Sequence, residues 1–201
     1  AVYTLEEHNG QLVAGGAADT ASQDPHYVSI LDENMGWQAL TSTNDRLDNT
    51  VYALLSQGGN LFAAGDCMDE NDSLTFCLAK LENGSWTSLV QVNSAMEPHA
   101  TITELYSHYD QIIVGGEFKI SPFVGTYGRG LARLAEVNQD LYLDPLAILD
   151  STVHGITTFK GNMVVGGSFS QIGSFINPIP YLIQTDNFTG IPDPWEVSFS
   201  I

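Results

Sequence analysis

Short apolar runs, broken by Gly, Asn and Asp, pattern this chain from end to end, and they recur in a fixed order. Val2-Tyr3-Thr4-Leu5 leads to Leu12-Val13-Ala14-Gly15-Gly16, and Val51-Tyr52-Ala53-Leu54 leads to Leu61-Phe62-Ala63-Ala64-Gly65. Ile102-Thr103-Glu104-Leu105 leads to Ile112-Ile113-Val114-Gly115-Gly116, and Val153-His154-Gly155-Ile156 leads to Met163-Val164-Val165-Gly166-Gly167. The closing glycine stands at 16, 65, 116 and 167, so the spacings are 49, 51 and 51 residues. No stretch has sustained helical periodicity, which excludes an array of helices; short strands divided by turn residues predict an all-β fold. Residues 51–55 and 112–114 are apolar at successive positions. A sheet with one wet face would alternate, so these strands belong to sheets covered on both sides.

Each repeat divides into four strands, placed in the second at residues 51–55, 61–64, 76–81 and 86–89. Gly58-Gly59-Asn60, Asn9-Gly10 and Lys160-Gly161-Asn162 fill the first turn of three repeats, and Asn34-Met35-Gly36 and Asn83-Gly84 the third turn of two. Such turns need positive φ, which Gly and Asn tolerate. A period of about 50 residues made of four short strands reads as propeller blades, each covered by its neighbours. The expected fold is therefore a single all-β propeller domain over residues 1–201, with blades at about 1–49, 50–100, 101–151 and 152–201. Four blades allow a closed four-bladed ring, part of a larger propeller, or an open stack completed by neighbouring chains. The chain opens at Ala1 within the lead-in to a strand, which reads as a processed product or a segment of something longer. Antiparallel order puts short turns on one rim and the long loops, near 17–26, 66–75, 117–129 and 168–179, on the other. The glycine closing each second strand, preceded by another Gly in all but the second repeat with its Ala64-Gly65, reads as a site of positive φ or of close backbone approach.

A hydrophobic strand ending in Gly-Gly, then an apolar strand, an Asn-Gly turn and a Trp resembles kelch-type repeats. It is similar also to the propeller repeats of large secreted bacterial and fungal surface proteins. The residues that carry the likeness are Leu61–Gly65 with Leu78–Leu89, and Val28–Leu40 in the first repeat. The third repeat keeps Leu131-Ala132-Arg133-Leu134 without a following Trp, and the fourth keeps Tyr181-Leu182-Ile183 and reaches Trp195 after a longer turn. The resemblance implies a β-propeller and a secreted or cell-surface setting; its motifs are structural and bring no catalytic or binding residue.

Charge narrows the partners. Six Lys and Arg stand against 24 Asp and Glu, a net charge of −18. No basic patch can be assembled from so few cations, which argues against nucleic acid and anionic membrane surfaces. No apolar run approaches the roughly 18 residues of a membrane helix. Cys67 and Cys77 lie ten residues apart on either side of an acidic loop and, in an oxidising compartment, bridge its base. Asn71, Asn83 and Asn187 each open an Asn-X-Ser/Thr triplet and are N-glycosylation candidates. Together these features point to an extracellular or cell-surface protein.

The chemical motifs are thin. Asp66, Asp69, Glu70 and Asp72 crowd one loop and are the candidates for calcium, though they lack the spacing of a helix–loop–helix calcium loop. The five histidines, His8, His26, His99, His108 and His154, show no metal-ligand spacing and read as surface or rim residues. The tryptophans Trp37, Trp86 and Trp195 recur in phase with the repeat, so core packing is expected of them. No nucleophile elbow, phosphate loop or dinucleotide fingerprint occurs. The expected function is a non-enzymatic extracellular structural or interaction module, with a repeating subunit of a surface or fibrous assembly as one form of it. Its partners would be other copies, surface proteins or glycans, forming a homo-oligomer or filament, with no cofactor. The alternatives are a glycan- or peptide-binding propeller using the long-loop rim, and a glycan hydrolase or lyase using paired carboxylates.

Overall fold

The structure is a computed structural model that describes residues 1–17, 27–40, 47, 49–67, 76–91, 100–120, 128–137, 140–172, 175–176 and 182–185. These residues form strands and turns, with no helix among them. In the first repeat β1 (Val2–His8), β2 (Gln11–Gly16), β3 (Val28–Asp32) and β4 (Gly36–Ala39) make an antiparallel meander. The second repeat has β5 (Val51–Gln57), β6 (Asn60–Cys67), β7 (Phe76–Glu82) and β8 (Ser85–Gln91), and the third β9 (Ala100–His108), β10 (Gln111–Ile120), β11 (Gly128–Val137) and β12 (Asp140–Ile148). Both repeat the meander. The fourth has β13 (Val153–Phe159), β14 (Asn162–Gly167) and β17 (Leu182–Thr185) in one sheet. A two-residue hairpin, β15 (Gln171–Ile172) with β16 (Phe175–Ile176), interrupts its long loop. The strands run longer than the sequence pattern implied, and the last strand expected near Trp195 lies outside the described residues.

The second and third repeats share one sheet. β6 runs past Gly65 and pairs with β9 at Asp66↔Thr101 and Cys67↔Ala100, giving an eight-stranded curled sheet. No closed ring is found among the described residues.

The same β-bulge recurs in every repeat. The first strand skips one residue against the second at Tyr3, Tyr52, Thr103 and His154. The bulge turns the start of that strand and lays a backbone carbonyl across the closing glycine of the second strand. A Cβ on Gly16, Gly65, Gly116 or Gly167 would collide with the carbonyl oxygen of Ala1, Thr50, Thr101 or Thr152 respectively. Close approach, not positive φ, is therefore the reason for this glycine. Positive φ does govern the turns, as at Asn83 (φ 52°) and Gly84 (φ 82°) between β7 and β8.

Side chains alternate across each strand, so every repeat has two faces, and three apolar clusters fill the spaces between consecutive repeats. Val13 and Val28 of the first repeat meet Val51, Leu54, Leu61 and Trp86 of the second. Phe62, Ala64 and Leu78 of the second meet Ile102, Leu105, Ile112 and Val114 of the third. Ile113, Leu131 and Leu149 of the third meet Val153, Ile156, Met163 and Val165 of the fourth. We call the face turned to the preceding repeat leading and the other trailing. Strand apolarity on both sides thus follows from stacking, as the unbroken runs required. The third repeat lacks the Trp, and Leu143 takes its place. It pairs with Leu134 as Trp86 pairs with Leu81, and it is buried on the leading face.

Candidate functional site

Polar side chains tie the repeats together along the first strands. His8 Nδ1 lies 2.9 Å from Ser56 Oγ, and Asn9 Nδ2 lies 2.9 Å from His8 Nε2. The Asn9 amide donates, so Nε2 accepts and the proton sits on Nδ1, which donates to Ser56. His108 Nδ1 meets Thr158 Oγ1 at 2.9 Å in the equivalent place between the third and fourth repeats. Both imidazoles are buried, which corrects their reading as surface or rim residues. Burial also lowers the His108 pKa and favours the neutral ring. Between the second and third repeats Gln57 stands in the histidine position, and its Oε1 is buried without a partner among the described residues. Carboxylates reinforce the same two junctions: the Ser56 amide donates to Glu6 Oε1 at 2.8 Å, and the Ile156 amide donates to Glu104. Burial of Glu104 outweighs that bond and raises its pKa.

A second row sits just beyond the closing glycines, next to the bulges. Thr101 donates to Asp66 Oδ1 at 3.1 Å, and Thr152 donates to Glu117 Oε2 at 3.2 Å. Tyr52 lies against Asp66; burial first, then the nearby carboxylate, raises its pKa. The Tyr3 and Tyr52 rings meet with centroids 5.1 Å apart, and His154 Nε2 reaches Ser168 Oγ at 2.7 Å. Asp66 is thus engaged in the repeat junction, whereas Asp69, Glu70 and Asp72 lie outside the described residues. No group of three His, Cys, Asp or Glu is gathered for a metal ion among the described residues.

Cys67, at the end of β6, and Cys77, in β7, form a disulfide with Cα atoms 4.7 Å apart, both side chains fully buried. A bond of this kind fits an oxidising environment. Asn83 is exposed on its hairpin turn; Asn71 and Asn187 lie outside the described residues.

The feature that sequence reasoning missed is at the front of the first repeat. Its leading face carries Val2, Leu5, Leu12 and Trp37, exposed by 66, 57, 37 and 49%. Their counterparts are buried in every later repeat described: Val51, Ile102 and Val153; Leu54, Leu105 and Ile156; Leu61, Ile112 and Met163; Trp86. Trp37 therefore departs from the expected core packing, although its register against Leu31 matches that of Trp86 against Leu81. A shallow cavity of about 230 Å³ opens here, between Val2, Ala14, Tyr27, Ser29 and Trp37. Among the described residues of the fourth repeat's trailing face, Thr157 is exposed, and so is Phe159 at the position where His8 and His108 are buried. Comparing residues one period apart could have flagged these positions, but only with knowledge of which face each repeat turns to its neighbour.

No protein-family model matches the chain, and no curated protein matches it in sequence.

Proposed function

We propose that this chain is a non-enzymatic extracellular structural or interaction module, built of kelch-like propeller blades and joined to partners through its open end faces. The observation that carries the reading is the leading face of the first repeat: an apolar surface whose chemistry is that of a repeat junction, left uncovered. Contiguous apolar surface of this kind marks interaction sites on soluble proteins. The disulfide supports an oxidising, extracellular setting, and the exposed Asn83 supports glycosylation on the short-turn rim. The carboxylates Asp66 and Glu117 are bonded to threonines of the next repeat, which supports a structural over a hydrolytic role for them.

A second reading, recognition of a glycan or peptide, draws on the exposed Tyr3 beside Tyr52 and Asp66 at the long-loop rim. Aromatic rings with a nearby carboxylate suit sugar stacking or a cationic peptide.

Hydroxyl-radical footprinting separates the proposal from a free-standing domain. Leu5 and Trp37 should label strongly in the dilute purified chain and be protected in native extracellular material. Equal labelling in both would remove the reading.

A further inference from the structure

We infer that the open leading face of the first repeat is docked by the trailing face of the fourth repeat of a second copy of this chain, head to tail. The inference rests on the interaction-module reading above and names the partner. Three junctions inside the chain define what such a surface receives. Each joins a trailing face to a leading face, and each uses the same apolar positions, a first-strand pair and a second-strand residue; the first and third add a polar contact from the eighth residue, His8 and His108. The leading face at Val2, Leu5, Leu12 and Trp37 offers the first half of a fourth such junction.

The chain also carries the second half. Thr157 and Phe159 are exposed on the fourth repeat, and Val164, the counterpart of the buried Val13, Phe62 and Ile113, is only half-buried. Gly166 stands where Gly15 and Gly115 stand. Those two glycines admit Val51 and Val153 of the following repeat so closely that a Cβ would lie 2.8 and 2.7 Å from a valine methyl. Val2 is the residue that a second copy would bring to Gly166. A heterologous contact of this kind is not self-terminating, so copies extend into a ring or filament according to the rotation per copy. Each copy carries a net charge of −18, so repulsion opposes the contact and salt should strengthen it.

The test uses thiols placed by the internal junctions. His8 reaches Ser56 and His108 reaches Thr158, so position 159 of one copy should face Glu7 of the next. Both Glu7 and Phe159 are exposed, and Cys67 and Cys77 are already bonded to each other. Chains carrying Glu7→Cys and chains carrying Phe159→Cys are mixed and treated with a short bis-maleimide. The expected result is a covalent dimer from the mixture, little from either variant alone, and a ladder from the doubly substituted chain. Adding Leu5→Asp to the Glu7→Cys chain should cut the dimer yield at least about tenfold, the factor of a contact weakened by 1.4 kcal/mol. Raising the salt should increase it. A cross-linked monomer from the double variant would assign the face to the chain's own fourth repeat and overturn the inference. Like-with-like dimers, or no dimer, would also overturn it. Protection of Trp37 in native material without this cross-link would leave the interaction-module reading standing and remove the second copy as its partner.

Discussion

Trp37 and Trp86 provide a matched pair for measuring what a repeat junction contributes. They occupy the same register on the same face, 49 residues apart, and are exposed by 49 and 7%. The difference of 42 percentage points (49 − 7), on a side chain of up to about 250 Å², is about 100 Å² of surface. At about 25 cal/mol per Å² this is about 2.5 kcal/mol of extra burial at Trp86. Trp86→Ala should therefore cost ~3–5 kcal/mol, because a cavity is left among Val13, Leu54 and Leu61, whereas Trp37→Ala should cost less by at least that 2.5 kcal/mol. For a domain of this size the gap corresponds to about 5–10 °C in melting temperature. Thermal unfolding followed by circular dichroism, on dilute chain, reads it directly. Equal destabilisation by the two substitutions would refute the argument, because it would mean that Trp37 is covered in the isolated chain.

Other consequences follow from single residues. Gly65→Ala should lower stability by about 3 kcal/mol or more, the upper range for overpacking, since the new methyl meets the Thr50 carbonyl and not a movable side chain; a melting temperature within a degree of wild type would argue against the bulge. Gln57→His should give the second junction the bond that His8 and His108 make in the others, worth about 1 kcal/mol with Ser107 as partner; a fall in melting temperature would contradict it. Glu104 holds its proton to higher pH folded than unfolded, so its contribution is fully present below the ordinary glutamate range and is lost as pH rises through the raised value. Glu104→Gln should accordingly raise the melting temperature near pH 7 and leave it unchanged near pH 4. A gain of equal size at both pH values would exclude titration as the cause.

Much of the architecture was legible from the residues because strand, turn and period are local signals. The Gly-Gly pairs marked the ends of β2 and β14, though β6 and β10 run on past Gly65 and Gly116; the Asn83-Gly84 pair marked a hairpin, and Cys67 with Cys77 marked a bridge at the base of one loop. The bulge at Tyr3, Tyr52, Thr103 and His154 was not legible, because those four residues share no chemistry; what they share is a place opposite a glycine. The buried histidines were hidden for a related reason. A histidine is read as exposed until a partner is known, and Ser56 and Thr158 are a whole repeat away. Leu143 replaces the tryptophan of the third repeat without any motif to announce it. The open face was the least visible of all, since Trp37 and Trp86 sit in nearly the same local sequence and differ only in what stacks on them.

Trailing-to-leading stacking of the repeats, continued from one copy to the next through the two end faces, has a direct physical readout. Electron microscopy of the chain, taken from dilute solution to high concentration in moderate salt, tests it most directly. Four-repeat units should join end to end, as short rods, filaments or larger rings, and Leu5→Asp should return them to single units. Isolated compact rings of four repeats at every concentration, unaffected by Leu5→Asp, would contradict stacking between copies.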